Sequence, residues 1–342
     1  MKLKREFDWF GTSGQIWILA AWAILVGILV WTPGNEVVTM DESRLLDRVF
    51  SAQRTLHEKR VSLGTASPRS IDPSDSGLIG VEWSTITTTA GDLGSKILSV
   101  KPGWAVVFRR WLDNEGLSRG DRITILSSGS FPGLAVSAIA AAESLDLDIN
   151  LLVSLGSSAW GANIPDMTLT DILAFLRKEG FISTRANACT LGAGWETGRG
   201  LAPEGIYALR ASAIRDGIPV IEADSLEEMI RVKGEAALIP GTRFLVQIGG
   251  GQADLGTDPS ILDMPPGIIK PSTIGKTGNG IVAEALKSGI PVLHVLNIPL
   301  LARGSGLYGR ARLPAGVSPV RLIAALGSGI FVLWRFRRWE AK

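Results

Sequence analysis

The chain has 342 residues, enough for one large α/β domain or two small ones, with 46% hydrophobic residues and a mean hydropathy of +0.24. That mean is high for a purely soluble enzyme and points to membrane segments at a minority of positions. A net charge of +2 gives no ground for a polyanion partner such as nucleic acid, the lone Cys189 excludes a disulfide framework, and two histidines, His57 and His294, leave little for a metal centre. No metal-ligand spacing appears, so no cofactor is expected.

Residues 1–8 carry Lys2, Lys4 and Arg5, and after Asp8 no charge follows until Glu36. Inside that gap residues 16–31 are continuously apolar, and with their uncharged flanks they reach the ~20 residues of a bilayer-spanning helix. Trp9, Trp17, Trp22 and Trp31 suit the two interfaces, and the basic tip belongs in the cytoplasm with the chain after Pro33 outside. A cleaved signal peptide is the alternative, but Val30-Trp31-Thr32-Pro33 offers no small-residue cleavage site. Residues 39–60 space Leu45, Leu46, Val49, Phe50 and Leu56 as an amphipathic helix leading away from the membrane, and 67–80 read as a loop.

From Gly120 the pattern alternates. Residues 123–126 read as a strand, 127–133 as a Ser/Gly turn, 134–145 as an Ala-rich helix, and 150–155 as a strand buried on both faces that stops at Gly156-Ser157-Ser158. Thr168, with Asp171 three residues on, caps a helix whose buried stripe is Ile172, Leu173, Phe175 and Leu176. Helices at 208–216, 225–232 and 281–287 then alternate with strands at 218–221, 244–248 and 292–296. An echo links Gly120-Asp-Arg-Ile-Thr-Ile to Gly241-Thr-Arg-Phe-Leu-Val, each unit ending in glycine, as two βαβ units facing one cleft would. The expected fold is α/β: a Rossmann-like layered parallel sheet with helices on both faces, plus an N-terminal transmembrane helix and a C-terminal membrane helix.

The tail has an apolar run at 322–334 followed by Arg335, Arg337, Arg338 and Lys342, which spans only if the helix extends back past a snorkelling Arg321. An interfacial helix is the alternative. The plan is therefore 1–35 cytoplasmic tip and anchor, 36–80 stalk helix and linker, 81–313 extracytoplasmic α/β domain, and 314–342 second membrane helix with a basic cytoplasmic tail.

In open α/β sheets ligands sit outside the carboxyl ends of the strands. That places Ser128, Gly129, Ser130, Trp160, Asn163, Asp166, Gly249, Gly250, Gly251, Gln252 and Asn297 in the expected binding region. A serine hydrolase would need Ser157 or Ser158 as nucleophile and His294 as base, oriented by Glu196 or Asp166; packed serines and a packed histidine are the plainer reading. The Gly156–Gly161 turn is not a nucleophile elbow, Gly192–Thr197 and Gly249–Asp254 lack the third glycine of a dinucleotide fingerprint, and Gly275-Lys276-Thr277 lacks the glycine that opens a P-loop.

Three runs, SLGSSAWGANIPDMTLTD at 154–171, GGGQADLG at 249–256 and GIPVLHVLN at 289–297, resemble the poly-gamma-glutamate system protein family. The resemblance implies a membrane-anchored bacterial protein associated with synthesis or export of poly-γ-glutamate capsule, with the polymer or the synthase subunits as partners. It implies a process and no particular catalytic residue. Arg109, Arg110, Arg122 and Arg303 are the arginines first considered as holders of the polymer's carboxylates.

Overall fold

The strands at the centre are apolar along their length because both faces are covered. β1 (Arg122–Ser128), β2 (Asp148–Ser154) and β4 (Thr242–Ile248) are almost wholly buried, as is β6 (Val292–Val295). With β3 (Ala188–Thr190) and β5 (Gly267–Ile269) they form a six-stranded sheet in the order β3-β2-β1-β4-β6-β5, parallel except for β5 on its edge. The structure is a computed structural model and describes Trp22, residues 38–271 and residues 278–307.

The helices are α1 (Met40–Ser62), α2 (Leu93–Ser99), α3 (Trp104–Asn114), α4 (Pro132–Glu143), α5 (Leu169–Lys178), α6 (Pro203–Arg215), α7 (Leu226–Ala237), α8 (Gln252–Leu255), α9 (Ile281–Lys287) and α10 (Ile298–Gly304). Side chains alternate across a strand. Leu126, Leu152 and Leu245 join Met229 and Ile230 of α7 and Ile281, Val282 and Ala285 of α9 in one apolar cluster. Ile123, Ile125, Leu151 and Val153, also fully buried, point to the opposite face. The fold is thus α/β with a mostly parallel sheet.

Local signals account for several boundaries. Thr168 and Asp171 form a complete capping box on α5, and Ser225 caps α7 by accepting from Glu228 N. Phe175 is only half-buried, while Ile172, Leu173 and Leu176 carry the contact. Residues 218–221 do not extend the sheet; Val220 makes a single bridge to Cys189. The echo is real in register: Ile123 pairs with Phe244 and Ile125 with Val246, so the repeated units lie side by side at the sheet centre.

The expected stalk is part of the domain. The described residues from Val38 to Leu307 make one compact unit, and α1 packs on α3, α4 and α5 through Leu45, Val49, Ala52 and Leu56. Buried Arg60 near its end donates to the carbonyls of Gly77 (3.0 Å) and Ile79 (2.5 Å), which pins the 64–80 loop. Apart from Trp22, the apolar segments 16–31 and 322–334 lie outside the described residues, as does Gly275-Lys276-Thr277. Among the described residues no helix is long and apolar enough to cross a membrane.

Candidate active site

From β1 the chain builds towards β3 on one edge, then returns to lay β4 on the other side of β1. The turns after β1 and β4 therefore diverge and leave a crevice between them. It opens into a cleft of about 630 Å³. Ser128 and Ser130 reach it from the end of β1, Ser154 and Ser158 from the end of β2, Gly192, Ala193, Gly194 and Glu196 from beyond β3, and Gly250, Gly251 and Gln252 from beyond β4. A further segment closes one side. Thr88 N donates to Ser157 O (2.8 Å) and Ala159 N to Thr89 O (2.9 Å), which ties 87–92 along the β2 turn. Asp92 then caps α2 by accepting from Ser95 N (2.7 Å), and Lys96 on that helix lines the cleft.

Lys96 is 2% exposed, and its Nζ stands 2.8 Å from Ser158 Oγ while donating to Ser130 O. The Ser158 amide donates to Ser130 Oγ (3.0 Å), which fixes the turn that carries the hydroxyl. Burial pushes the Lys96 ammonium down to about 7, opposed only weakly by Asp92. The Phe131 ring, 4.1 Å away, also favours the ammonium. Desolvation still wins, and near neutral pH a large share of Lys96 is a free amine within reach of a serine hydroxyl. That is the arrangement of a nucleophile and its general base.

A second buried lysine lies at the floor. Lys233 Nζ is 2.8 Å from Glu196 Oε2 and 2.7 Å from Asp254 Oδ1, with all three side chains buried. Glu196 Oε2 also accepts from Ser154 Oγ (2.6 Å) and Thr190 Oγ1 (2.7 Å), and Glu196 Oε1 from Ala253 N (2.9 Å). Burial raises the Glu196 carboxyl, but Lys233 and these hydrogen bonds more than offset it, so the net shift is downward. For Asp254 burial dominates and the net shift is upward; Lys233 is held above the ordinary lysine range by the two carboxylates. Gly251 is required here because a side chain would run into both carboxylates.

This cluster anchors a strained loop. Ala193, Trp195 and Glu196 all have positive φ (59°, 57° and 62°), a conformation that costs about 1–2 kcal/mol for each non-glycine residue. Trp195 N donates to Gln252 Oε1 (2.7 Å), and the Arg199 guanidinium stacks 3.9 Å from the Trp195 ring at the cleft edge.

The expected site residues divide cleanly. Ser128, Ser130, Ser158, Glu196, Gly250, Gly251 and Gln252 line the cleft. Gly129 and Gly249 shape its turns, Gly249 with φ 90°. Ser157 is fully buried, its hydroxyl within reach of the carbonyls of Gly129 (3.1 Å) and Ser158 (2.9 Å), so it is packing. Asn163 is also structural, holding Val81 N and O and Thr87 Oγ1. Trp160 lines a separate hollow of about 520 Å³ with Pro68, Val81 and Pro165. The Asp166 side chain is 95% exposed beside Arg215, and Asn297 caps α10 in a left-handed conformation.

His294 does not line the cleft. It sits inside β6 at 1% exposure, Nδ1 2.8 Å from Gln247 Oε1, and burial lowers its pKa to about 4. Its Nε2 has no hydrogen-bond partner among the described residues. The arginines first considered are occupied elsewhere: Arg109 bonds Ser144, Arg110 pairs with Glu42 and Arg122 with Asp148, while Arg303 lies on α10. Sequence reasoning missed Lys96, Lys233, Asp254 and Arg199. No family model, no curated protein and no solved structure matches this chain, so what it does has to be argued from the cleft itself.

Proposed function

We propose that the cleft is the active site of a serine acyl-transfer enzyme, an amide hydrolase or transferase, with Ser158 as nucleophile and Lys96 as base. The observation that carries this is the 2.8 Å approach of a buried, partner-poor lysine to a serine hydroxyl that lines an open cleft. Neutral Lys96 takes the Ser158 proton as Oγ attacks the carbonyl carbon. Protonated Lys96 returns that proton to the departing amine nitrogen as the carbon–nitrogen bond breaks, leaving an ester on Ser158. Water or a second amine then attacks the ester carbonyl carbon as it gives its proton to Lys96, and Lys96 passes that proton to Ser158 Oγ as the acyl–oxygen bond breaks, which releases the acid or the new amide and restores both residues. The resemblance to the poly-gamma-glutamate system family makes the γ-glutamyl amide bond the first substrate to test. Purified full-length chain incubated with poly-γ-glutamate should change the polymer's length, and Ser158→Ala should abolish the change. Unaltered length after prolonged incubation with active-site labelling intact would refute this substrate.

A second reading is an accessory factor that binds the polymer or the synthase subunits without chemistry; the hydroxyl- and glycine-rich lining of the cleft, with Arg199 among it, favours it. Serine-directed labelling separates the two, since a pure binder has no activated hydroxyl. Either role is compatible with a membrane tether at 1–35 and 314–342 and the domain on the extracytoplasmic side. A reporter fused after Pro33 that proved cytosolic would overturn that placement.

A further inference from the structure

We infer that Arg199 is the specificity-determining residue of the cleft and selects amides whose acyl part carries a free carboxylate near the reacting carbonyl. The inference rests on the acyl-transfer reading and names its substrate class.

The first support is charge. Arg48, Arg110, Arg177, Arg210 and Arg215 are each paired with a carboxylate, and Arg60, Arg109 and Arg185 are bonded to carbonyl or hydroxyl oxygens; Arg199 has no carboxylate partner among the described residues and is the arginine that lines the cleft. The carboxylates that share its cleft are committed: Asp92 caps α2, and Glu196 turns inward to Lys233. A guanidinium that lines a cleft whose own carboxylates are engaged elsewhere calls for an anion from outside, and a carboxylate matches its two parallel N–H donors.

The second support is placement. The guanidinium is stacked on Trp195, so its plane is set and little rotamer freedom is lost on binding. Trp195 is itself fixed through its amide by Gln252, and Gly194 N donates to Arg199 O (3.0 Å) across the loop. Gly194 cannot carry a side chain there, because a Cβ would lie 2.9 Å from Arg199 O. The loop holds its left-handed residues through the inward Glu196 anchor, while the Trp195 ring is partly exposed and Arg199 lines the cleft. Backbone strain of this kind persists where the surroundings over-determine it, as they do here.

The test compares two donors that differ in one group: γ-glutamyl anilide, with its free α-carboxylate, and the same anilide as the α-carboxamide. In the full-length wild-type chain kcat/KM should favour the carboxylate. In Arg199→Gln the ratio between donors should fall by roughly 10- to 100-fold, the range for a hydrogen-bonded charge pair, with Arg199→Lys in between. A ratio unchanged in Arg199→Gln, while wild-type Ser158 is labelled by a fluorophosphonate, would overturn the inference and leave the acyl-transfer reading standing. If wild type neither turns over nor labels, the acyl-transfer reading fails instead. Equilibrium binding of the two donors to Ser158→Ala, with and without Arg199→Gln, then decides Arg199 alone: equal preference for the carboxylate in both refutes it.

Discussion

Two lysines of this molecule are buried to the same degree and meet opposite fates. Lys96 is 2% exposed and Lys233 1% exposed. Lys233 lies between Glu196 and Asp254, so attraction exceeds desolvation and the ammonium is locked on. Lys96 faces a hydroxyl, a carbonyl and an aromatic ring, with only Asp92 supplying distant negative charge, so desolvation wins. Burial alone therefore does not decide what a lysine does. The neighbouring carboxylates do: they hold Lys233 as a charged strut and, by their distance, leave Lys96 able to serve as the proposed base.

The sharpest way to break this contrast is to remove each charge in turn. Lys233→Met leaves Glu196 and Asp254 buried without a counter-ion and should cost about 3–5 kcal/mol in urea unfolding. Lys96→Met removes a penalty and should be neutral or stabilising at pH 7. Equal destabilisation by both would show that Lys96 is a structural ion too.

The pH dependence carries the same contrast at smaller size. The folded pKa of Lys96, about 7, lies below its unfolded value of about 10.4, so between those values the unfolded chain binds the extra proton. Stability should rise with pH across that window, by at most ~1.4 kcal/mol per pH unit, and Lys96→Met should flatten this contribution. An identical slope in the variant would contradict the depressed pKa.

Gly251→Ala forces a methyl group onto the Glu196 and Asp254 carboxylates and should cost about 1–3 kcal/mol, measured by thermal or urea unfolding. His294→Gln should have the least effect on the site. It should leave Ser158 labelling within about twofold while removing the acid sensitivity of a histidine that must charge on unfolding between its unfolded pKa near 6.5 and its folded value of about 4. A collapse of labelling in that variant would return His294 to the mechanism.

Much of the frame was legible in the sequence. The unbroken apolar runs of β1, β2 and β4, the Thr168 cap and the 120/241 echo placed the switch point and its glycine turns at one cleft edge. The role proposed for Lys96 was not legible, because the depressed pKa comes from tertiary burial that no local pattern around residue 96 fixes. A chain so poor in histidine leaves lysine as the alternative base, and the one charge in the otherwise apolar or small run of α2, LGSKILS, was the signal available. Asp254 stands where a dinucleotide fingerprint would have its third glycine, and its carboxylate is half of the clamp on Lys233. Ser157 and Ser158 could not be separated by pattern, since the difference lies in which hydroxyl the turn sends into the core.

The most direct measurement is the rate at which a fluorophosphonate labels Ser158 in the full-length chain as pH is varied. The account expects labelling that rises with a midpoint near 7, set by Lys96, and that falls by about 10²- to 10⁴-fold in Lys96→Met. Labelling of equal rate in Lys96→Met, or a midpoint near the ordinary lysine value of about 10.4, would contradict it.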